Sequence, residues 1–261
     1  MADIAADGEV LPGLGPVAED RVLGGALRLL QPCRGHRAGS DAILLAAAIP
    51  DLGGGTLADF GAGAGTVGLA VALRQPALSA ILVERDPELA GLAARNAALN
   101  GLGERVATVT AAIGGTGAGS LRAALPGQQA NWVAMNPPFF QPGEARISPV
   151  PNRGAAHVAD TTLASWLADA RRILKPRGGV TIIHRAEALG EILAGLGAGF
   201  GAVSIRPVHA QAGKPAIRVL VSALSGSRKP AEILPAFVLN DDDGRFTPQA
   251  EAVHRGAALL A

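Results

Sequence analysis

Residues 59–65 read Asp-Phe-Gly-Ala-Gly-Ala-Gly and stand between two apolar runs, Thr56–Phe60 and Thr66–Arg74. We interpret the first run as a short strand and the second as a helix, which Pro76 stops. Glycines allow the connecting backbone to turn tightly and allow a ligand to approach without a Cβ clash. Together with Gly68 the stretch satisfies the pattern G-x-G-x-x-G, which alone is a weak indication. Because open α/β sheets bind ligands at the carboxyl ends of strands, we expect a ligand site at this turn.

Strands and helices alternate along the chain on both sides of this turn. Further strands are predicted at 80–83, 106–109, 132–135, 180–184, 202–208 and 217–224. Further helices are predicted at 42–48, 87–100, 160–174 and 187–196. Alternation implies a mostly parallel sheet with helices on both faces, and the last two strands, with no helix between them, should pair antiparallel. The sequence therefore predicts a doubly wound α/β fold with an antiparallel hairpin at one edge.

The segments outside this alternation carry turn and loop signals. Residues 1–20 are rich in Gly and Pro and acidic, which indicates a loose lead-in, and residues 21–37 favour short strands joined by a turn. The stretch 175–179 (KPRGG) is predicted to turn the chain. Asp241–Gly244 is predicted to be a solvent-exposed turn, and Thr247 followed by Pro248 predicts the start of a last helix.

Composition limits the classes of function. Hydrophobic residues make up 49% of the 261 residues and the net charge is +1, so we expect a large core and, for any nucleic-acid contact, a local basic surface. Cys33 is the single cysteine, which excludes a disulfide framework and a cysteine-based zinc site and favours a reducing, cytoplasmic setting. The acidic first 20 residues do not resemble a signal peptide, and we predict neither a membrane span nor a bound metal.

Two cofactors compete for the glycine turn. Glu84 ends the next predicted strand, about 20 residues on, where an acid can hold ribose hydroxyls. A nicotinamide dinucleotide would place its pyrophosphate at the helix N-terminus, where the carboxylate of Asp59 would repel it. S-adenosylmethionine has no phosphate and carries a cationic amine, which an acid at the strand tip suits.

A second loop, residues 134–140 (AMNPPFF), follows the predicted strand at 132–135. Two successive prolines cannot lie inside a helix or a central strand, so they mark a stiff loop just past a strand end. The loop is rich in carbonyl acceptors and poor in donors, which suits binding of an NH2 group by Asn136 and Pro137. Acceptors that pull the amine protons out of plane localise the nitrogen lone pair for attack. Phe139 offers a ring for stacking a base, worth about 1–3 kcal/mol.

Taken together, these motifs resemble a known family. DFGAGAG at 59–65, VERD at 83–86 and NPPF at 136–139 resemble S-adenosylmethionine-dependent methyltransferases with a Rossmann-like sheet of seven strands, in which the N-P-P-aromatic signature marks transfer to planar amino nitrogens. The stretch 35–45 (GHRAGSDAILL) is similar to a cofactor-covering segment of bacterial tRNA adenine N6-methyltransferases, which modify an adenine beside the anticodon. The similarity extends over roughly residues 20–225.

The resemblance assigns roles to residues of this sequence. It implies that the cofactor contacts are Ser40, Asp41, Asp59, Gly61, Gly63, Glu84 and Asn136. It implies that the catalytic residues are Asn136, Pro137 and Phe139, and that Pro138 and Phe139 contact the substrate. Arg153, in the stretch after the prolines, is a candidate contact to a substrate phosphate, although a solvated loop explains its charge equally well.

This sequence departs from the family at one point. Such enzymes often carry an acid just after the third strand, near the cofactor adenine, whereas residues 110–113 here read Thr-Ala-Ala-Ile. Either a backbone amide recognises the adenine or the affinity for the cofactor is reduced.

The resemblance also divides the chain and sets the alternatives. We predict a lead-in and cofactor-covering segment at 1–50, a methyltransferase core at 51–225 and a C-terminal extension packed on the core at 226–261. N-methylation of adenine in tRNA is the favoured activity, and tRNA the expected partner. Methylation of a protein glutamine, as in release factors, or of guanine N2 in ribosomal RNA remains open, as does the oligomeric state. A cofactor-binding module without catalysis and a nicotinamide oxidoreductase are disfavoured by Asn136, Phe139 and Asp59.

Overall fold

The computed structural model describes residues 10–34, 38–138 and 162–260, and every structural statement below refers to these ranges. Within them, no helix is both long enough and apolar enough to cross a membrane.

Twelve strands and seven helices make up the described parts of the chain. The strands are β1 (Val10–Leu11), β2 (Gly15–Val22), β3 (Leu27–Pro32), β4 (Thr56–Phe60), β5 (Ser79–Glu84), β6 (Val106–Thr110), β7 (Ala130–Met135), β8 (Leu174–Arg185), β9 (Phe200–Gln211), β10 (Ala216–Ser225), β11 (Glu232–Ile233) and β12 (Phe237–Asn240). The helices are α1 (Ser40–Ala47), α2 (Thr66–Arg74), α3 (Pro87–Leu99), α4 (Leu121–Ala124), α5 (Leu163–Ile173), α6 (Leu189–Leu196) and α7 (Pro248–His254).

One mixed sheet of nine strands forms the centre of the fold. Its order is β11-β9-β10-β8-β7-β4-β5-β6, with β12 also paired to β9. β4, β5, β6, β7 and β8 run parallel, and β10 pairs antiparallel to both β8 and β9. The predicted fold class, a Rossmann-like, mostly parallel sheet with an antiparallel hairpin, is therefore confirmed. β1, β2 and β3 form a separate small antiparallel sheet.

Apolar side chains fill both faces of the large sheet. One cluster joins α1, α2 and α7 to the sheet and includes Leu44, Leu69 and Phe237, all fully buried. The other joins α5 and α6 to the opposite face and includes Trp166 and Ile192. Because each helix presents one apolar stripe to the sheet, the polar ends of the strands remain available for a site.

Local capping explains where the helices that flank the site begin. The Asp86 carboxylate accepts hydrogen bonds from the backbone N–H groups of Glu88 and Leu89, and Pro87 occupies the first turn of α3. Thr162 and Ser165 form a reciprocal capping box at the start of α5. Loss of such a cap costs about 1 kcal/mol, so these residues contribute to setting the register of the helices against the sheet.

Three sequence predictions about the fold are corrected. Part of the expected loose lead-in is ordered, since residues 10–11 form β1 and residues 15–20 form most of β2. The expected turn at 175–179 is part of β8, where the register jumps from the pair Ala130–Leu174 to the pair Trp132–Gly179 and the intervening residues bulge out of the ladder. The hairpin of β9 and β10 is not at the outer edge, because β11 and β12 pair in parallel along the free side of β9.

Candidate active site

The two loops that sequence analysis selected leave the sheet side by side. Phe60, the last residue of β4, pairs with Met135, the last residue of β7. Gly61 and Asn136 are the next residues, so both loops begin at the same edge of two adjacent parallel strands. β4 is flanked by β5 on one side and by β7 on the other, which makes this the point where the strand order reverses. Open α/β sheets bind ligands in such a crevice.

The glycine turn needs left-handed backbone at three positions. Gly61, Gly63 and Gly65 have φ values of 71°, 55° and 91°, a region in which residues with a Cβ are strained. A Cβ on Gly65 would lie 3.0 Å from Leu82, and one on Gly68 would lie within 2.2 Å of the same side chain. A Cβ on Gly63 would meet nothing within 4 Å. Two of these glycines therefore permit close packing of α2 on the sheet, whereas Gly63 faces open space.

Glu84 holds the glycine turn from the neighbouring strand. Its carboxylate is 8% exposed and accepts the backbone N–H of Gly63 at 2.9 Å and that of Asp86 at 3.0 Å. Each carboxylate oxygen has a further lone pair, so the group can also accept hydroxyl protons from a ligand. This arrangement is compatible with the ribose-binding role expected for Glu84.

Asp59 lies beneath the turn. Its carboxyl is 2% exposed and accepts the backbone N–H of Gly68, in the first turn of α2, at 2.9 Å. Burial raises the pKa of Asp59 to about 7, the Gly68 hydrogen bond opposes the rise, and the nearby charge of Glu84 adds to it. A cation bound next to the turn would favour the ionised form. The direct cofactor contact expected of Asp59 stays a prediction.

The Asn-Pro-Pro loop is described as far as Pro138. Asn136 is half-buried, Pro137 is buried and Pro138 is exposed. No residue within the described ranges is hydrogen-bonded to the side-chain amide of Asn136, whose oxygen is an acceptor. Phe139 and Arg153 lie outside the described residues, as do Gly35, His36 and Arg37.

Ser40 and Asp41 form the first turn of α1. The Ser40 hydroxyl lies 3.0 Å from Nε2 of His254, and a carboxylate oxygen of Asp41 lies 2.9 Å from Nε of Arg218. Arg218 pairs with Arg185 at the end of β8, so this turn stands at the same edge of the sheet as Asn136. The sequence offered no signal for the contact with His254, because 214 positions separate it from Ser40.

Trp166 is a site residue that sequence reasoning missed. It lies in α5, is 7% exposed and packs its ring edge-on to Phe60 with the centroids 6.3 Å apart. A Cβ on Gly61 would come within 2.9 Å of its Cη2 atom, so the indole supports the glycine turn from below. Its Nε1–H is buried and has no hydrogen-bond partner in the part of the chain that the structure describes. The signal available in the sequence was its rarity, since the chain has two Trp residues.

The backbone amides after β6, where the family often carries an acid, are already hydrogen-bonded within the fold. Asp169, fully buried in α5, accepts the backbone N–H of Gly114 at 2.8 Å and the Nε–H of Arg122 at 3.1 Å. The N–H groups of Ala111 and Ala112 already donate to backbone carbonyls. These bonds fix the shape of the loop and leave none of these three amides free to recognise an adenine.

Within the described ranges, no group of three or more His, Cys, Asp or Glu side chains is placed to hold a metal ion.

Comparison with known proteins adds independent findings. A family profile described as "Methyltransferase small domain" matches residues 37–206. A tRNA1(Val) (adenine(37)-N6)-methyltransferase of Aeromonas hydrophila is 31% identical over 214 residues, covering 81% of this chain and 85% of the relative. A protein of the same name from Dickeya chrysanthemi is 28% identical over 226 residues, covering 84% of this chain and 86% of the relative.

A solved structure is similar over nearly the same length. The crystal structure of a predicted O-methyltransferase from Agrobacterium tumefaciens superposes with a TM-score of 0.71 and 30% identity, covering 85% of this chain and 98% of that one. The matched profile spans both the glycine turn and the Asn-Pro-Pro loop.

Proposed function

Because this chain belongs to the methyltransferase small domain family and is an S-adenosylmethionine-dependent methyltransferase, we propose that it methylates the exocyclic N6 of an adenine in tRNA, near the anticodon. The observation that carries this proposal is the pairing of Phe60 with Met135, from which the glycine turn and the Asn-Pro-Pro loop leave the sheet side by side. The names of the two relatives support tRNA as the substrate class.

The residues around the glycine turn fit S-adenosylmethionine better than a nicotinamide dinucleotide. The carboxylate of Asp59 lies against this turn and would repel a pyrophosphate, whereas it would stabilise a cationic ligand. Glu84 can bind ribose hydroxyls in either cofactor, so it does not distinguish them. Gly63 faces open space, so a ligand can approach the backbone there. We therefore assign Gly61, Gly63 and Glu84 to the cofactor, with Glu84 on the ribose hydroxyls and Asp59 acting through its charge.

Asn136 and Pro137 hold the target amine in this proposal. The side-chain oxygen of Asn136 and the backbone carbonyl of Pro137 accept the two amine protons and orient the nitrogen lone pair. S-adenosylmethionine, when bound, supplies a methyl group on a positively charged sulfur. The nitrogen forms its bond to the methyl carbon as the carbon–sulfur bond breaks, and the amine proton leaves afterwards to solvent. The chain needs no strong base for this chemistry.

The Asn-Pro-Pro loop favours a nitrogen over an oxygen as the methyl acceptor. A hydroxyl group has one proton to donate, whereas an amine has two, and this loop offers two neighbouring acceptors. An oxygen nucleophile would also need a base to take its proton during attack. The N-methyl assignment therefore differs from the O-methyl transfer named for the similar Agrobacterium protein.

The experiment that tests the function is methyl transfer from labelled S-adenosylmethionine to three separate acceptors: total tRNA, total ribosomal RNA and purified release factors. Labelled RNA is digested to nucleosides and analysed by mass spectrometry. We expect label in tRNA alone, released as N6-methyladenosine. Label in N2-methylguanosine, in a 2′-O-methylated nucleoside or in protein glutamine would contradict the proposal and identify the alternative activity.

A further inference from the structure

The first turn of α1 is held by polar contacts from the C-terminal third of the chain. From Ile43 onward α1 is buried in the core, whereas residues 38–42 are half-buried or exposed. Ala38 packs against the edge of the core, whereas Gly39 and Ser40 line a cleft of ≈ 400 Å³. The Ncap residue, Gly39, has no side chain to cap the helix. The position of this turn therefore depends on three polar contacts with the rest of the fold: the Ala38 N–H donates to Oε1 of Gln31, Ser40 bonds to His254, and Asp41 pairs with Arg218.

The ring of His254 is itself fixed on two sides. Its Nδ1 lies 2.8 Å from the backbone carbonyl of Ala250, and the ring of Phe246 stacks on it with centroids 4.2 Å apart and planes 21° apart. Because a carbonyl only accepts, Nδ1 must carry a proton. In the neutral ring Nε2 is then the acceptor, and the Ser40 hydroxyl donates to it. The helix that carries the ring is anchored by Ala250 and Val253, which are buried in the core.

This turn stands beside the proposed site. Arg218 pairs with Arg185 on β8, and Ile182 of the same strand pairs with Met135, directly before Asn136. Adjacent strands are separated by about 4.8 Å, so Val221 of β10, which pairs with Ile182, lies about 10 Å across the sheet from Met135, and Arg218 stands three residues farther toward the carboxyl-terminal edge of β8. α1 also packs against β7 and β8, so its first turn and Asn136 lie at the same carboxyl-terminal edge of the sheet.

We propose that His254 is a positioning residue for the cofactor, which it serves by holding the first turn of α1 through Ser40. The inference rests on the proposed function of the site and extends it to the last helix of the chain. Binding of the cofactor against a turn that is already in place costs less conformational entropy than binding against one that must be ordered. Loss of the bond therefore weakens binding more than it slows transfer.

Two substitutions of His254 distinguish its bond to Ser40 from its bond to Ala250. In His254→Gln the end of the longer side chain reaches the place of Nε2 and keeps the bond to Ser40. In His254→Asn the shorter side chain reaches only the place of Nδ1 and keeps the bond to Ala250. Glu251→Gln is the matched control, because it weakens the exposed pair with Arg255 on the same helix without touching Ser40.

The measurement is the affinity for S-adenosylhomocysteine by calorimetry, together with KM for S-adenosylmethionine and kcat. We expect His254→Asn to raise Kd and KM roughly three- to tenfold, the value of one hydrogen bond, with kcat near that of wild type. His254→Gln should restore most of the affinity, and Glu251→Gln should bind like wild type. Ser40→Ala, which also removes the cofactor contact expected of Ser40, should lose at least as much affinity as His254→Asn. The double variant Ser40→Ala/His254→Asn should bind no more weakly than Ser40→Ala.

The contrary results are distinct. Wild-type affinity in His254→Asn, an equal loss in His254→Gln and His254→Asn, or additive losses in the double variant would each overturn the role of His254. Should His254→Asn fail to fold, Ser40→Ala alone decides: unchanged affinity overturns the inference. If the wild-type protein binds no S-adenosylhomocysteine, the proposed function fails, and the inference fails with it.

Discussion

Gly63 is the residue at which stability and ligand binding separate most clearly. Its φ of 55° strains any residue with a Cβ, yet a Cβ there would meet nothing within 4 Å. Gly53 has nearly the same backbone, with φ of 57° and the same open space, but it lies in the turn before β4, at the opposite end of that strand. The two glycines therefore form a matched pair of which only one faces the proposed cofactor.

We predict that Gly63→Ala and Gly53→Ala each lower the free energy of unfolding by about 1–2 kcal/mol, the cost of left-handed backbone for an L-residue. Only Gly63→Ala should also weaken S-adenosylhomocysteine binding, by roughly tenfold or more, because the added methyl occupies ligand space. Denaturant unfolding and calorimetry measure the two effects. Equal affinities in the two variants would show that the cofactor does not approach Gly63.

Asp59 provides a pH-dependent test at the same turn. Its pKa is raised by burial to about 7 in the folded protein, against the ordinary value of 3.8. Between these two values the folded chain binds more protons at this carboxyl than the unfolded chain does, so Asp59 makes stability fall as pH rises through that window. The destabilisation by the ionised Asp59 carboxylate is fully present above about pH 7 and absent below about pH 4.

We predict that Asp59→Asn removes this dependence, because Asn can still accept the Gly68 N–H and carries no charge. The free energy of unfolding of the variant should equal that of wild type near pH 4 and exceed it at pH 8 by an amount on the order of a few kcal/mol. Urea unfolding of the two proteins at several pH values measures the difference. Parallel curves across this range would mean that Asp59 titrates normally.

Among the secondary-structure elements, α3 and its C-terminal cap hold the small sheet through two Asn side chains, of which Asn96 also reaches the glycine turn. Asn96 is fully buried: its oxygen accepts the Leu30 N–H at 2.7 Å, and its amide donates to the carbonyls of Leu30 at 2.9 Å and Ala64 at 3.0 Å. Asn100 makes the same pair of bonds to Arg28, one turn along, without contacting the glycine turn. The two side-chain amides thus bond to backbone groups of β3 in the way that a neighbouring strand would.

We predict that Asn96→Ala and Asn100→Ala each destabilise the protein by about 1–3 kcal/mol, because they leave backbone groups of β3 unpaired. Only Asn96→Ala should also reduce cofactor affinity, since only Asn96 holds Ala64 of the glycine turn. Thermal unfolding and calorimetry on both variants test this. A reduction of affinity in Asn100→Ala as large as in Asn96→Ala would point to general loosening of α3 instead.

The elements also show what periodicity can and cannot predict. α2 begins and ends where expected, because the glycine turn before it and Pro76 after it are local signals. The contacts of the site were less accessible to sequence reasoning. Trp166 reaches Gly61, and His254 reaches Ser40, across long sequence separations that only the folded sheet brings together. The bulge in β8 was missed because Pro and Gly signal a turn locally, whereas the ladder with β7 holds them in a strand.

Across the molecule as a whole, the C-terminal extension is part of the core. Phe237 on β12 is fully buried, and Leu260 donates its N–H to the carbonyl of Ala47 at the end of α1. Its strands could not be predicted because both are short and lack alternation, and they are stabilised by pairing with β9. The expected division of the chain at residues 50 and 225 stays a prediction.

We predict that Phe237→Ala lowers the free energy of unfolding by about 3–5 kcal/mol, the usual cost of removing a fully buried ring. A matched substitution, Phe246→Ala, should cost less, because Phe246 is 40% exposed. Denaturant unfolding of both variants provides the comparison. A loss below about 1 kcal/mol for Phe237→Ala would show that the extension does not support the core.

In this account the reaction depends on how the Asn-Pro-Pro loop after β7 holds a planar amine beside the glycine turn after β4. Single-turnover methyl transfer to tRNA by Asn136→Ala, at saturating S-adenosylmethionine, measures this most directly. We predict a rate lower by about 100-fold or more, as when one preorganised hydrogen-bonding group is removed from an active site, with the affinity for S-adenosylhomocysteine near that of wild type. A single-turnover rate within about threefold of wild type would contradict the role given to Asn136.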